Sequence, residues 1–372
     1  MTSAYTSSMS VLSTLGKIIP PPEYLRLPSV GVDISDTSLK YVQFQPDTKS
    51  GMNLELSYWG DIDIADGVLN RGTVSDVKQL SEAIREVRER TGLETLRVSL
   101  PEERAYLFET EIKKGTPFKE IRGLLEFRLE ENVPLSPRDA FFDYDILDDE
   151  ASSDVLRVSV TAYAQETIMN YYEACVSAGM TPLSFEVEAQ AIARATIPAG
   201  DQGTHLIVDF GKTRTGIGIV SHGILMYTST IDIGGGDLST ALRRQLGEVE
   251  ESALTKIKNT QGLIRGIEGA DVYEALLPTM SAILDEVRTR VQYWNMRETS
   301  REDRQVQSVI LCGGSVNMKG LPEYFSEMLG VSSVRANVWQ NAFPISKTVP
   351  EIGRRYSYGY STAVGLALTP FA

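Results

Sequence analysis

Residues Val30 to Phe44 read VGVDISDTSLKYVQF, and residues Leu206 to Val220 read LIVDFGKTRTGIGIV. Laid over one another, Asp33 falls on Asp209, Ser35 on Gly211 and Thr37 on Thr213. Each aspartate ends an apolar strand, and each is followed by a turn rich in hydroxyls or glycine. The flanking sequence repeats as well. Val30–Val32, Leu39–Phe44 and Leu54–Trp59 read as three strands in the first half; His205–Asp209, Thr215–Val220 and Ile224–Thr230 read as three in the second. Two related halves, each carrying strand–Asp–turn–strand, imply a pseudo-symmetric pair of lobes with a cleft between them.

Outside the repeat, Val77, Leu80, Ile84 and Val87 mark one face of a helix with Ser75 as N-cap, Asp76 at its positive end and Gly92 as its stop. A strand follows at Leu96–Leu100. Residues from about Pro101 to Gly179 read as a separate α+β module. Thr116-Pro117 opens a helix with an Ile121, Leu124, Leu125 and Leu129 stripe, strands at Phe141–Leu147 and Val155–Ala162 flank an acidic turn at Asp148-Asp149-Glu150, and a helix spans Gln165–Ser177. In the second half, helices are expected at Leu238–Leu246, Glu248–Lys258 and Met280–Arg297, the last with Met280, Ile283, Leu284, Val287, Val291 and Trp294 on one face. A strand at Val309–Cys312, the pair Gly313-Gly314, and helices at Leu321–Leu329 and Tyr360–Leu368 complete the chain. Met9, Leu12, Leu15 and Ile19 recur at helical spacing before Pro20-Pro21-Pro22 ends the stretch, so residues 1–28 form an N-terminal appendage. The expected partition is a first-lobe core of residues 29–100, 180–200 and 350–372, an insert of 101–179, a second-lobe core of 201–245 and 305–349, and a helical subdomain of 246–304.

Composition narrows the chemistry. With 372 residues, 42% hydrophobic and 23% charged, the chain has enough apolar surface for two or three packed domains. A net charge of −14 repels phosphate backbones and argues against a nucleic-acid partner. Cys175 and Cys312 form no CxxC, and His205 and His222 cannot supply a histidine-rich metal site. No apolar run spans a bilayer, and the N-terminus lacks the layout of a secretory signal. Gly211-Lys212-Thr213 resembles the end of a P-loop, but Leu206 stands where the first glycine belongs and a strand follows the lysine. Gly216 and Gly218 begin a GxGxxG that Ser221 breaks.

The repeated aspartates suit a nucleotide. A carboxylate from each lobe can hold a hydrated magnesium ion, and N–H groups and hydroxyls of tight turns make a nest for phosphate oxygens. The order of motifs carries more weight than any one of them: Asp turn, Asp-x-Gly turn, Gly234-Gly235-Gly236-Asp237, then strand–Gly–Gly–helix.

In that order the motifs resemble the actin-like ATPase superfamily (a ribonuclease H-like α/β fold of two duplicated lobes), and within it the PilM family of type IV pilus assembly proteins, from about Val30 to Leu368. VGVDISDTSLKYVQF is similar to the first phosphate motif, IVDFGKTRT to the second, and VILCGGSVNMKGLPEYFSEMLG to the adenosine motif. VEAQAIARA, DEVRTRVQYW and YSTAVGLAL favour the PilM branch, where the module at 101–179 takes the place of the extra subdomain. The resemblance implies ATP or ADP with Mg as ligand. Asp33 and Asp209 would face the metal. Ser35, Thr37, Ser38, Lys40, Gly211, Lys212 and Thr213 would line the phosphate turns. Gly235 and Gly236 would approach from the second lobe, and Gly313, Gly314 and Ser315 would lie beside the adenosine. Ala253 or Thr255 occupies the place of the family's ribose-contacting glutamate, near Lys256 or Lys258; Lys256 is counted with the nucleotide-facing set. Glu188 falls where related ATPases orient the attacking water, and equally where a carboxylate stabilises a helix N-terminus. Ser35 and Asp36 depart from the family's glycine and small neutral residue. A carboxylate at position 36 costs phosphate binding unless metal or Lys40 offsets it, so ATP binding with weak or no hydrolysis is expected.

The resemblance implies a cytoplasmic scaffold, drawn to the inner face of the cytoplasmic membrane by the N-terminal tail of a PilN-like protein and linked to other pilus components. A small-molecule kinase on the same fold would be expected to show a substrate-facing Asp base and larger insertions in the first lobe, and this sequence offers no convincing candidate. A filament former like the cell-division protein FtsA usually ends in a basic amphipathic membrane helix, whereas this sequence reads Thr369-Pro370-Phe371-Ala372 after its last helix.

Overall fold

The computed structural model describes residues 27–46, 54–147, 154–265, 270–297 and 304–371. The Met9–Ile19 stretch and the acidic turn at 148–150 lie outside the described residues.

The first lobe opens with β1 (Val30–Ile34), β2 (Ser38–Pro46) and β3 (Leu54–Asp63), a short β4 (Leu69–Asn70) and β5 (Thr73–Val74) hairpin, α1 (Val77–Thr91) and β6 (Thr95–Leu100). The insert contributes β7 (Tyr106–Lys113), α2 (Phe118–Asn132), β8 (Ala140–Ile146) and β9 (Val155–Ala164). The chain then returns through α3 (Gln165–Ser177), β10 (Thr181–Val187) and α4 (Glu188–Thr196). The second lobe holds β11 (Thr204–Phe210), β12 (Thr215–Ser221), β13 (Ile224–Ile231), α5 (Gly235–Leu246), α6 (Glu251–Thr260), α7 (Ala270–Arg297), β14 (Ser308–Cys312), α8 (Leu321–Leu329) and β15 (Ser332–Arg335). Last come α9 (Arg354–Ser357) and α10 (Ser361–Leu368).

The duplication is topological. One five-stranded sheet runs β3-β2-β1-β6-β10 and the other β13-β12-β11-β14-β15. In each, the central strand pairs antiparallel with the strand that follows it and parallel with the later one. The register sets Asp33 opposite Lys40 and Asp209 opposite Gly216, the same place in both lobes. β1 and β11 are apolar on both faces, as expected of strands covered from two sides. One continuous core joins the lobes, while the insert keeps two small clusters of its own around Leu125 and Leu129.

Small residues let two helices meet where the lobes join. A Cβ added at Gly365 of α10 would fall on the Ala191 carbonyl of α4, and one added at Gly31 of β1 would fall on Ala363. VEAQAIARA and YSTAVGLAL are therefore small-residue stretches because their backbones touch.

Several expectations need correction. Asp76, not Ser75, caps α1, accepting from the Gln79 N–H at 3.0 Å, because its carboxylate offers the better acceptor at the positive end of the helix. Pro117 precedes α2 instead of opening it, and Leu124 is exposed. α5 starts earlier than expected, at Gly235, and α6 later, at Glu251. α7 begins at Ala270 and runs through Pro278, a residue that pattern reading treats as a boundary. The insert ends near Ala164, not Gly179. Parallel strands β6 and β10 need a crossover helix, and α3 is that helix: its Tyr171, Ala174 and Cys175 belong to the main core. Trp339 and Phe343 of the expected second-lobe core stack on each other and set their edges against Phe44 of the first lobe.

Candidate functional site

The two equivalent strand ends deliver their aspartates to one cavity of about 380 Å³ between the lobes. Asp33 accepts from Ser99 Oγ at 3.1 Å, and Ser99 in turn accepts from the Ile34 N–H at 3.1 Å. Lys40, across the β1–β2 ladder from Asp33, donates to Ser38 Oγ at 2.6 Å and lies 3.9 Å from Asp61. The Ser35–Ser38 turn closes on itself: Ser35 Oγ donates to the Ser38 carbonyl at 2.9 Å. A serine thus stands where glycine was expected without opening the turn.

On the second-lobe side, the Gly211 N–H donates to the Arg214 carbonyl at 3.0 Å and closes that turn. Gly313 has φ +90°, and a Cβ there would fall on Asp209 Oδ1, so only glycine lets the strand end approach the aspartate. Asp33, Ser35, Thr37, Ser38, Lys40, Glu188, Asp209, Gly211, Lys212, Thr213, Gly313 and Gly314 all line the cavity.

Four expected residues stand elsewhere. Gly235 and Gly236 donate their N–H groups to the Gly211 and Lys212 carbonyls at 3.0 and 2.8 Å, and Ser315 Oγ donates to the Gly211 carbonyl at 3.0 Å. These three brace the 211–214 turn from behind instead of lining the cavity. Lys256 is exposed on α6. Lys258, two residues on, is buried and donates to the Gly235 carbonyl at 3.0 Å and Ser239 Oγ at 2.7 Å. Burial pushes its ammonium pKa down.

Residues that the sequence did not single out also line the cavity, chiefly Glu102, Glu103 and Arg214. Glu102 is 3% exposed and reaches over Gly216, where a Cβ would strike its Oε2. Its carboxyl accepts from the Ala189 N–H at the start of α4. Burial, then the charges of Asp209 and Glu103, push Glu102 up to about 8. Burial and Asp33 push Asp209 up to about 7, and burial raises Asp33. Glu188, the first residue of α4, is raised well above the carboxylate range by burial and by Asp33, Glu102, Glu103 and Asp209. The position serves both readings of Glu188: it opens a helix and it faces the cavity. The carboxylate of Asp36, which departs from the family pattern, has Arg214 as its cationic partner. Its Oδ2 accepts from Arg214 at 2.7 Å.

Eight carboxylate-bearing residues and only three cationic ones, Lys40, Lys212 and Arg214, line this cavity. Such a site favours a divalent cation. Among the described residues no group of three carboxylates, histidines or cysteines converges as a direct metal cage. The donor set would suit a hydrated divalent cation better than one held wholly by protein ligands.

Two further cavities flank the first. One of about 550 Å³ lies beside the strand–Gly–Gly turn and carries Asn259, Asn317, Lys319, Arg354 and Arg355. The other, about 520 Å³, is a groove between the insert and the first lobe, reaching the β12–β13 turn. Phe141, Ile168, Phe185 and Leu225 supply apolar walls, and Asp143 and Asp145 stand on one face of edge strand β8.

A family model described as Type IV pilus assembly protein PilM matches residues 31–371. The chain belongs to the type IV pilus assembly protein PilM family. Among solved structures, the PilM-PilN type IV pilus biogenesis complex superposes with a TM-score of 0.75 at 21% identity, covering 93% of this chain and 99% of that one. The ethanolamine utilization protein EutJ from Carboxydothermus hydrogenoformans gives a TM-score of 0.53 at 17% identity over 94% of this chain and 90% of that one. MreB5 of Spiroplasma citri bound to ADP gives 0.51 at 12% over 85% and 93%. These likenesses place the chain in the actin-like fold. PilM family membership makes it a type IV pilus assembly protein, the branch that VEAQAIARA, DEVRTRVQYW and YSTAVGLAL favoured.

Proposed function

We propose that this chain is a nucleotide-loaded scaffold of type IV pilus assembly, with a magnesium–adenine nucleotide in the cleft and a partner's tail in the groove. The observation that carries the nucleotide half is the convergence of Asp33 and Asp209, from matching strand ends of duplicated lobes, on one cavity. Asp33 and Asp209 would hold the hydrated magnesium ion. The 35–38 and 211–213 turns would receive the phosphates, and the cavity around Asn317 and Arg354 would take the nucleoside. Glu188 opens α4 and faces the cavity, so it is the residue that would orient water. Burial and the neighbouring carboxylates raise its pKa, which disfavours the charged form that would accept a proton, in keeping with slow or absent turnover.

The partner half rests on the groove. MreB5 is described with ADP and the superposed PilM with PilN; here the groove offers an apolar floor beside the open edge of β8, a surface suited to a short extended peptide. No helix among the described residues is long and apolar enough to cross a membrane. Docking of a PilN-like tail would hold the protein at the inner face of the cytoplasmic membrane. Calorimetric titration with Mg–ATP, then with the N-terminal peptide of a PilN-like protein, tests both halves. Saturable binding of each, with little phosphate release, is the expected outcome. Peptide binding without nucleotide binding would leave an adaptor with a disabled cleft.

A further inference from the structure

The cleft is bridged by an ion-pair cluster that the fold alone does not require. Arg214 extends from the second-lobe phosphate turn and pairs with two first-lobe carboxylates, Asp36 Oδ2 at 2.7 Å and Glu103. All three side chains are less than a fifth exposed, at 16% for Arg214 and Asp36 and 19% for Glu103. Asp36 is itself anchored in its lobe, where its Oδ1 accepts from the Gly72 N–H at 3.3 Å. Arg71 and Asp232 make a second, more exposed cross-lobe pair at 3.1 Å. Of the cavity's other cations, Lys40 is engaged with Ser38, and Lys212 is exposed at the rim.

We propose that Arg214 is a phosphate ligand of the cleft, held in reserve by Asp36 and Glu103 until the phosphate tail of a nucleoside di- or triphosphate displaces them; this rests on the nucleotide reading above. A ligand lodged between the Ser35–Ser38 and Gly211–Arg214 turns places phosphate oxygens between Asp36 and Arg214. Phosphate and Asp36 repel one another, and both seek the same guanidinium. A planar fork of donors can exchange a carboxylate for a phosphate without new geometry, because both acceptors match it bidentately. Asp36 thus competes with the ligand for Arg214 while tying the lobes together when the ligand is absent. The departure from a small neutral residue at position 36 acquires a role: it trades nucleotide affinity for a closed cleft.

Calorimetry on the full chain with Mg–ADP and Mg–ATP distinguishes the alternatives, with thermal unfolding checking that each variant is folded. Asp36→Asn keeps the shape and removes the charge. It should tighten nucleotide binding about tenfold, the scale of a hydrogen bond to a charged group. Arg214→Gln should weaken binding by about the same factor, and the gain from Asp36→Asn should be smaller in the Arg214→Gln background than in the unaltered chain, because only the direct repulsion is then left to remove. Arg214→Lys, which keeps charge without the fork, should fall between. If Asp36→Asn leaves affinity unchanged or lowers it, Arg214 is only a tie between lobes and the proposal fails. Loss of binding in Asp209→Ala alongside that result would leave the nucleotide site standing without it. No nucleotide binding by the unaltered chain would remove both.

Discussion

Lys40 and Gly216 occupy equivalent positions in the two lobes, one opposite Asp33 and the other opposite Asp209. In the first lobe a lysine faces the aspartate across the ladder and partly opposes the upward push of burial on its pKa. In the second the absent side chain leaves room for Glu102, which arrives from the other lobe and adds negative charge. The two aspartates are thus equivalent in backbone and unlike in electrostatics. Lys40 favours the charged form of both aspartates, but Asp209 also lies beside the buried acid Glu102. Asp209→Ala is expected to lower Mg–nucleotide affinity at least tenfold, with the far-ultraviolet circular dichroism unchanged; unaltered affinity in a folded variant removes the site assignment. Gly313→Ala should act on the same group indirectly. It forces a side chain into φ +90° and onto Asp209 Oδ1, so denaturant unfolding should show a loss of about 1–3 kcal/mol together with weaker nucleotide binding. Asp33 and Asp209 were legible in the sequence because strand, aspartate and turn recur as a unit. Glu102, Glu103 and Arg214 were not. Pro101-Glu102-Glu103 reads as an ordinary acidic start to a turn, and only the tertiary fold carries it across the cleft.

At the scale of elements, periodicity located most strands of the two lobes and the apolar face of α7 from Met280, since burial on one side leaves its mark every second or every third to fourth residue, but it did not mark β7, β10, β15 or the β4–β5 hairpin. It could not assign α3. Nothing in Gln165–Ser177 distinguishes a helix that covers the insert from the crossover that joins β6 to β10; parallel pairing decides it. The small-residue helices α4 and α10 were legible as stretches but not as partners. Their contact at Gly365 predicts that Gly365→Ala, which directs a methyl at the Ala191 carbonyl, costs about 1–3 kcal/mol or more in urea unfolding. A tolerated alanine would mean that the helices can part without loss. The insert makes a separate prediction. Asp143 and Asp145 share a face of β8 and line the groove, and partial desolvation together with Asp143 raises the Asp145 carboxyl. A docked tail should therefore present a lysine or arginine to them. In fluorescence anisotropy, Asp143→Asn/Asp145→Asn should weaken a cationic tail peptide about tenfold at low salt and flatten its salt dependence. Equal binding and equal salt dependence would place the tail's charge elsewhere.

For the molecule as a whole, the lobes are joined by a continuous core, by the Arg214 and Arg71 pairs, and by Glu109 of the insert, which accepts from Arg297 of α7 at 2.6 Å. These ties hold a ring of carboxylates together in the cleft, and that ring makes stability depend on pH. Glu102 titrates at about 8 in the folded protein against 4.5 ordinarily, and Asp209 at about 7 against 3.8. Between the ordinary and folded values the native state binds protons that the unfolded chain has already released. Stability then falls as pH rises, because the slope follows the protons bound by the unfolded state minus those bound by the native one. The ligand-free protein should lose stability steadily from about pH 4.5 to about pH 8 and level off above. A bound magnesium–nucleotide reverses the cause, since a cation beside Asp33 and Asp209 favours their charged forms. Mg–ADP should accordingly stabilise the protein more at pH 8 than at pH 5.5. Urea midpoints across this range, with and without Mg–ADP, measure both trends, and Glu102→Gln should remove part of the ligand-free slope. A ligand-free stability that climbs towards pH 8 would mean that the cleft carboxylates are already paired, and that the site is not waiting for a metal.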